Sequence, residues 1–573
     1  MKNYCAKSLS LLFLWLLSCS SPSKEPAIKV RFAQDPESLH PLSYGNAPAL
    51  QILNYIYQSL LTVDLSNNSI QPLLAAELPT IKREDSVSYF TFAIRPEAQW
   101  DNGTPVTAQD VAFSLKMLHS PLLDNERWRD QYDFIKDIQF SKNSPKTFTL
   151  VCTGYTPEMK LMTGDFFVLP AHQFDPKGIL ASVPFQLIRQ KFDSLSSTST
   201  FKAFASSINQ PGFARDTALV KGSGPYVLKK WSAGQSLVLE KKKAWWGNKV
   251  EAPETVLRAN PSRILFQVLP DNAAALLALK TQQLDVMDNI PLVTFQEMKQ
   301  DKKYQQLYNF YSPTSFDFVF MGLNGQNPKL ENRLTRQALA HLVNIPQIIS
   351  SLQGGLATPT VGLVHPQEKN FYNAELPQIK FDPEKAKTLL REAGWQQTST
   401  GWQKNVNGRP QTLTLELLYR AGNSDFENMS LLFKQNAKSL GIPVTLQALE
   451  SSQISERLES RKFDLYFRTL VSTPFSYNLI PLLHTSNGKE GGPNVTGFGN
   501  PETDQLLEKI AVEEHTAEKA LLLKSLQKAM QEESNLIPLY FQQNKMAVSK
   551  KLDAVIISGL KPGYDLTKAT LKK

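Results

Sequence analysis

The residues of this chain that could carry out chemistry do not fall into the spacings that catalysis or metal binding requires. The chain has no HExxH motif, no phosphate-binding GxxxxGK loop, no GxSxG turn and no CxxC pair. No metal-ligand spacing links the seven histidines, which stand at His40, His119, His172, His341, His365, His484 and His515. We therefore predict no catalytic residue, no metal site and no cofactor. A carboxylate pair meeting in a cleft, as in an exported cell-wall hydrolase, stays open as the alternative.

Cys19 is the cysteine whose surroundings suggest modification. Lys2 and Lys7 precede an apolar run over residues 9–17, which is too short to span a bilayer and indicates a signal peptide over residues 1–18. The sequence Leu16-Leu17-Ser18-Cys19 resembles a bacterial lipobox, in which the cysteine is lipid-modified and becomes the N-terminus. Residues 19–27 then form a tether, and acyl chains hold the protein at a membrane. The alternative is an ordinary signal peptide with a chance cysteine.

The composition indicates an exported globular body. Of 573 residues, 42% are hydrophobic and 20% are charged, which excludes a disordered chain. The net charge is +9, and loss of Lys2 and Lys7 with the signal leaves about +7. An exported protein rarely meets nucleic acid, so anionic lipid headgroups suit this charge at least as well. Cys152 has no partner once the other two cysteines are accounted for, so we expect a buried thiol rather than a disulfide.

Local patterns predict an α/β protein. Residues 89–95 alternate with period two, as in a strand, and Thr107 with Asp110 forms a capping box at the start of a helix. Asp382 and Pro383 mark another helix start, with Gly394 at its end. Three strands are then predicted, over 413–419, 444–449 and 463–467. They alternate with a helix over 424–440 and a short helix over 453–459. Residues 382–470 are therefore predicted to form an α/β lobe, whereas 176–216 and 486–500 show no clear pattern.

Several segments, taken in order, resemble the extracytoplasmic solute-binding proteins of peptide-type ABC importers, a family with oligopeptide-, dipeptide- and nickel-binding members. The matching segments are Leu39–Leu42, Tyr55–Leu61, Phe92–Val111, Gly222–Tyr226, Asn332–Ala340, Asp382–Gly394, Asn500–Asp504 and Ile537–Tyr540. The resemblance extends over about residues 28 to 548. The lipobox agrees with it independently.

The resemblance implies a two-lobed periplasmic-binding-protein fold with ligand bound in the cleft between the lobes. Lobe I would comprise 27–70, 206–315 and 541–573, with residues 71–205 as an inserted subdomain; lobe II would comprise 316–540. Hinge crossings are expected near Ser312–Asn324 and Pro538–Gln543. The family also implies a monomer that delivers its solute to ABC permease subunits, so the partners would be a peptide or other solute, the permease and the membrane.

The predicted ligand-binding residues include one departure from the family. Tyr44, Asn46, Tyr540 and Phe541 are predicted to contact ligand. Family members that bind free peptides carry an aspartate that pairs with the ligand's ammonium, and Leu470 stands at the matching position here. Arg468, two residues earlier on the strand, would face the same side and suits a carboxylate.

The chain is therefore expected to be a lipid-anchored importer subunit for oligopeptides, among which anionic or cell-wall-derived peptides are favoured. Nickel and other solutes stay open, as does a surface adhesin. Arg468 has an alternative role. It would pair with a protein carboxylate such as Asp464 or Glu427, and another acidic residue would bind the amine of the ligand.

Overall fold

The structure, a computed structural model, describes residues 26–251, 255–406 and 408–572. The predicted signal peptide and Cys19 lie outside the described residues. Two lobes, each built on its own large sheet, make up the described chain. The first lobe takes in residues 26–311 and 546–572, and the second takes in 314–543.

A mixed seven-stranded sheet forms the base of the first lobe. Its central strand Ile28–Phe32 is parallel to both neighbours, and the other pairs are antiparallel. Across the sheet the strands are Tyr226–Ser232, Ser236–Lys241, Arg263–Val268, Ile28–Phe32, Val286–Met287, Met546–Ser549 and Tyr308–Tyr311. The first two form a hairpin, and Gly234 at its turn has a φ of +68°, which favours glycine.

A second, antiparallel sheet belongs to the same lobe. Its strands, in order, are Thr80–Glu84, Val87–Ala93, Thr147–Thr153 and Ile135–Phe140. The predicted alternation is confirmed, since Phe90, Phe92 and Ile94 are all buried. These side chains share one continuous apolar core with the seven-stranded sheet, and the Cys152 thiol is buried beside them.

Helices and short strand pairs complete the first lobe. The helix Ala108–His119 begins as predicted, with the Thr107 backbone N–H donating to the Asp110 carboxylate at 2.9 Å. The remaining α-helices are Ala47–Ile56, Glu126–Gln131, Met159–Met162, Ala171–Phe174, Phe185–Gln190, Phe192–Ser197, Ser199–Ile208, Pro211–Arg215, Asn272–Lys280, Leu292–Gln300 and Lys302–Leu307, and 3₁₀ turns are Trp246–Lys249 and Thr255–Leu257. Short strands pair as Gln58–Ser59 with Phe167–Val168 and Leu61–Asp64 with Ser69–Pro72.

The second lobe is built on a six-stranded sheet with an apolar core on each face. Its strands, in order, are Ala357–Pro359, Leu536–Gln543, Thr314–Leu323, Leu465–Val471, Leu415–Arg420 and Val444–Leu449. Alternate side chains of the central strand divide between the two cores: Val319 and Met321 enter one, and Phe318 and Phe320 the other.

The helices of the second lobe follow the predicted pattern closely. The helix Pro383–Glu392 is capped by Asp382, whose side chain accepts from the Lys385 N–H. The other helical segments are Arg333–Ala340, Ile345–Gln347, Ile348–Leu352, Ser424–Ser439, Ser451–Glu459, Ile480–Leu483, Thr485–Asn487, Pro501–Val512 and Thr516–Glu533. A small sheet contains Gln396–Thr398, Gly401–Val406 and Arg409–Thr412.

Two short crossings connect the lobes. The strand Tyr308–Tyr311 of the first sheet is followed by Thr314–Leu323 of the second, and Leu536–Gln543 is followed by Met546–Ser549. Residues 312–313 and 544–545 therefore join the lobes, and the Asn544 N–H donates to the Pro313 carbonyl at 3.0 Å. Most of the segments expected to form the hinge lie instead within strands of the second sheet, because those strands continue up to the crossings.

The end of the chain returns to the first lobe. The short strand Leu552–Asp553 pairs with Thr570–Leu571, and Ile556–Ile557 pairs with Tyr564–Asp565. Leu552 and Leu566 are buried in the first lobe's core. Residues 556–565, here called the C-terminal hairpin, thereby project towards the crossings.

Candidate functional site

A cavity of about 300 Å³ lies where the two lobes and the C-terminal hairpin meet. The first lobe contributes Val63 and Leu65, and the second lobe contributes Phe316, Asp317 and the segment 471–475. The hairpin supplies the remaining wall with residues 559–561. A site built from both sides of a hinge changes shape when the lobes move, as expected of a binding cleft.

Two further cavities extend this site into a groove. One of about 360 Å³ shares Val63, Leu65 and Lys561 with the first and reaches into the first lobe. The other, of about 580 Å³, shares Phe475 and opens between Lys160 of the first lobe and residues 367–368 of the second. Two of the three adjoining spaces therefore lie between the lobes, and the 360 Å³ cavity continues them into the first lobe.

The central cavity is mostly apolar and contains one ion pair. Lys561 Nζ lies 3.1 Å from Asp317 Oδ1, and these are the charged residues that line the cavity. The lysine side chain is 54% exposed, whereas the aspartate side chain is 12% exposed. The pair connects the C-terminal hairpin to the second lobe within the cleft itself.

The hairpin tip lies tightly against the second lobe. A Cβ on Gly559 would lie 2.1 Å from the Thr314 carbonyl oxygen, so only glycine allows this approach. Within the tip, the Ser558 N–H donates to the Gly563 carbonyl at 2.9 Å, and the Gly563 N–H donates to the Leu560 carbonyl at 2.8 Å. The tip is thus a closed hydrogen-bonded loop that fixes the backbone of Lys561.

Polar contacts join the lobes again at the outer rim. Glu158 of the first lobe is 6% exposed and accepts from the Tyr477 N–H at 3.1 Å. Lys519, also buried, lies on the same side of the second lobe, and its Nζ is 5.9 Å from the centre of the Tyr477 ring. An ion pair of 2.8 Å between Arg83 and Glu514 lies at the same rim. These contacts exist only while the lobes are close together.

Three carboxyl groups that line these cavities have pKa values raised by desolvation, those of Asp165, Glu368 and Asp565. The surrounding protein desolvates Asp165 and raises its pKa to about 7, although the Tyr132 hydroxyl donates to it at 2.8 Å. Its side chain is nonetheless open to solvent through the 360 Å³ cavity, so the shift reflects enclosure by cavity walls. Burial likewise raises the pKa of Glu368 in the 580 Å³ cavity.

Tyr44 and Asn46, predicted as ligand contacts, lie in the first lobe away from these cavity linings. The Tyr44 ring packs against Trp128 and Phe167, with centroids 5.3 and 6.4 Å away. Asn46 caps the helix Ala47–Ile56 by accepting from the Ala49 N–H at 2.9 Å. These contacts give both residues structural roles, so ligand contact by either stays a prediction.

Arg468 and Leu470 lie on one face of the strand Leu465–Val471, as predicted from strand periodicity. Leu470 packs into an apolar core opposite Phe318. Arg468 is exposed, and among the described residues it forms no ion pair with Asp464 or Glu427. The Asp464 carboxylate instead pairs with Lys329 at 2.6 Å. Neither Arg468 nor Leu470 lines the three cavities, whose walls include the next residues of the strand.

Tyr540 and Phe541 are fully buried on opposite faces of the six-stranded sheet. The Tyr540 hydroxyl lies 3.9 Å from Met429 Sδ, and the Phe541 ring contacts Phe318 and His365. In this conformation both residues support the sheet beside the crossing rather than line the groove.

Sequence reasoning missed the groove's two charged partners, Asp317 and Lys561. They are far apart in the chain, and no local motif marks either one. The Leu560-Lys561-Pro562-Gly563 sequence does signal a turn, but only the fold brings that turn to the cleft. The residues next to Asp317 in the chain indicate a strand, but they do not indicate that Asp317 pairs with Lys561.

The described residues contain neither a metal-ligand cluster nor a membrane-spanning helix. Across the described ranges no cluster of three or more His, Cys, Asp or Glu side chains could hold a metal ion. His365 is buried, its Nε2 lies 3.2 Å from the Ser315 carbonyl, and desolvation lowers its pKa to about 4. Over the same ranges no helix is long and apolar enough to cross a membrane.

Comparison with known proteins places this architecture in a family. Over 99% of this chain and 98% of the relative, it is 22% identical to the oligopeptide-binding protein AppA of Bacillus subtilis. The AppA structure in complex with a nonapeptide superposes with a TM-score of 0.69 at 20% identity, covering 96% of this chain and 99% of that one. NikA from Brucella suis, solved with Fe(III)-EDTA, superposes with a TM-score of 0.72 at 18% identity, covering 96% and 100%.

The family assignment rests on a sequence profile as well as on these relatives. The profile of the bacterial extracellular solute-binding proteins, family 5 Middle, matches residues 69–490, which is more than half of the chain. This region includes most of both lobes and one of the two crossings. The chain therefore belongs to the bacterial extracellular solute-binding proteins of family 5.

Proposed function

We propose that this protein is the substrate-binding subunit of an ABC importer and that it captures oligopeptides in the interlobe groove. The observation that carries the proposal is a series of adjoining cavities, two between the lobes and one continuing into the first lobe, beside crossings of two residues each. An extended peptide has room in such a series of cavities. The oligopeptide-binding relative that matches nearly the whole chain supports the same ligand class.

Binding would proceed by closure of the lobes. A peptide that contacts both walls of the groove favours the closed state by its extra contacts there. The rim contacts of Glu158 and Arg83 with the second lobe, which are present in this conformation, would help to hold the closed state. The closed protein presents its ligand to permease subunits without covalent chemistry, so we expect saturable binding without turnover.

The ligand's polarity follows from the leucine at position 470. An ammonium buried against Leu470 would have no carboxylate to offset its desolvation. Arg468 is exposed on the same face, outside the cavity lining that begins at Val471, and suits a carboxylate, so it is proposed as a contact for a ligand that extends beyond the groove. Anionic peptides, including cell-wall peptide fragments, and peptides with a blocked amine would then be favoured over peptides held by a free α-amine.

The location follows from the N-terminal sequence. Cys19 would carry the lipid and residues 19–27 would act as a tether, keeping the body on the extracytoplasmic side of a bacterial membrane. A monomer held there can collect solute near the permease.

Mass spectrometry of ligands released from the purified protein tests the function directly. Recovered peptides that rebind saturably and remain intact would support it; no peptide recovered, and none bound, would refute it. Calorimetry with matched free and N-acetylated peptides then tests polarity, using Arg468→Ala and a control, Arg409→Ala, whose side chain is exposed on the small sheet. A strong preference for the free amine together with normal binding by Arg468→Ala would refute the polarity proposal.

A further inference from the structure

Lys561 has an unusual position for a lysine near the end of a chain. Lys561 lines two of the three cavities, those of about 300 and 360 Å³, and is one of the residues that the two cavities share. Its Nζ lies 3.1 Å from Asp317 Oδ1, within ion-pair distance. A lysine ammonium has three donors, so it can serve a ligand in the groove while it stays paired with Asp317.

Contacts at the backbone and at the head group of Lys561 together fix the position of its ammonium. The hydrogen-bonded tip at residues 558–563 holds the backbone, and Gly559 lets that tip contact Thr314. The carboxylate of Asp317 then holds the head group. A charged group with few remaining conformations binds a ligand at a lower entropic cost than a free surface lysine.

The surroundings favour an anion as the occupant. Around the central cavity the walls are largely apolar, with Val63, Leu65, Phe316, Val471 and Leu560 among them. The Ser472 hydroxyl is already used, since it donates to the Phe316 carbonyl at 2.8 Å. Within this cavity's lining, the charged donor available to a ligand is therefore Lys561.

A ligand cation at Asp317 is the competing arrangement, and the structure disfavours it. The Asp317 side chain is mostly enclosed and already paired, so a cation would have to displace Lys561. An arriving carboxylate displaces nothing, because Lys561 can keep Asp317 and donate to the ligand as well. In the 360 Å³ cavity, Asp165 and Asp565 are balanced in part by Arg258, so that space is not selective for one sign of charge.

We propose that Lys561 is the ligand-binding residue that receives a carboxylate of the bound peptide, and that Asp317 is its positioning residue. The inference rests on the proposed peptide-binding function and adds the chemical group recognised. The carboxylate has two sources, the C-terminus of the peptide or an acidic side chain, and the experiment separates them.

Three random hexapeptide libraries serve as probes: free C-termini without Asp or Glu, amidated C-termini without Asp or Glu, and amidated C-termini with one Asp or Glu. Retained peptides are quantified by mass spectrometry on wild type, Lys561→Met, Lys561→Arg, Asp317→Asn and the control Lys550→Met, whose lysine is exposed away from the groove lining. Wild type should enrich one carboxylate-bearing library over the neutral library by roughly tenfold. This factor is at the low end of the range for charge-assisted hydrogen bonds, because Lys561 is half-exposed and solvent weakens the interaction.

The variants test the assignment through selectivity, which a merely structural role would not change. Lys561→Met should abolish the enrichment, Lys561→Arg should keep it, Asp317→Asn should reduce it, and Lys550→Met should match wild type. Equal retention of all three libraries by wild type, or undiminished enrichment by Lys561→Met, would overturn the inference while leaving peptide binding itself intact. Retention of no library by any protein would instead count against the proposed function.

Discussion

Glu158 at the outer rim tests whether closure of the lobes contributes to affinity. Its carboxylate crosses the cleft and accepts from the Tyr477 N–H at 3.1 Å, and the Ser476 hydroxyl lies 3.5 Å away. We expect Glu158→Ala to weaken ligand binding with little effect on the folding of either lobe. Because the contact exists only when the lobes are close, the substitution raises the free energy of the closed state and not that of the open state.

The magnitude follows from the groups left without partners. In the closed state Glu158→Ala leaves the Tyr477 N–H without its acceptor in a half-buried position, at a cost of about 1–2 kcal/mol. That cost lowers the closing equilibrium by roughly 5- to 30-fold, and affinity falls by the same factor where ligand binds the closed state. Glu158→Gln keeps an acceptor oxygen and removes the charge near Lys519, so it should have a smaller effect.

Calorimetry with a recovered peptide measures the affinity, and small-angle scattering measures compaction at saturation. Glu77→Ala, at an exposed glutamate of the same lobe, is the matched control and should bind as wild type does. Unchanged affinity and compaction in Glu158→Ala would refute the reasoning, because the rim contact would then have no part in closure. A lowered melting temperature of the ligand-free variant would point instead to a role in folding.

Three further outcomes are expected. A peptide at a hundredfold excess over its Kd should raise the free energy of unfolding by roughly 2.7 kcal/mol and reduce the radius of gyration; unchanged melting and scattering at saturation would contradict closure. Burial lowers the pKa of His40, His119 and His365 to about 4 each. As the pH falls from about 6.5 towards 4, these histidines are protonated in the unfolded chain before they are protonated in the folded protein. The stability that depends on their neutral forms is therefore fully present above about pH 6.5 and is lost as the pH falls towards 4. By pH 5 each histidine should lower the free energy of unfolding by about 2 kcal/mol. Urea unfolding at pH 7 and pH 5 should therefore show a loss of stability that is smaller by this amount in His119→Gln than in wild type. An equal loss in both proteins would argue against a buried neutral His119. Finally, Cys19→Ser should prevent lipid attachment, as read from intact mass and detergent partitioning, and an unmodified Cys19 in the mature wild-type protein would contradict the anchor.

Local structure was largely predictable because its causes lie within a few residues. The cap of Asp382 on Lys385, the capping box at Thr107 and the buried alternation at Phe90 and Phe92 depend on neighbours in the chain. These patterns predicted the α/β class, and the ordered family segments predicted two lobes. In the segment 176–216 the helices Phe185–Gln190 and Phe192–Ser197 have only six residues each, too few to show a clear period. The ten-residue helix Ser199–Ile208 has an apolar side, formed by Phe201, Phe204, Ala205 and Ile208, and sequence reasoning missed it.

The site depended on the tertiary structure. Asp317 and Lys561 become partners only because residues 544–545 return the chain to the first lobe and the C-terminal hairpin then reaches back to the second sheet. Similarly, the sequence marks Tyr540 as the end of a family segment and Phe541 as the next residue, but sheet pairing decides that both are buried. A contact between distant residues depends on how whole elements pack, and no periodicity or spacing along the chain carries that information.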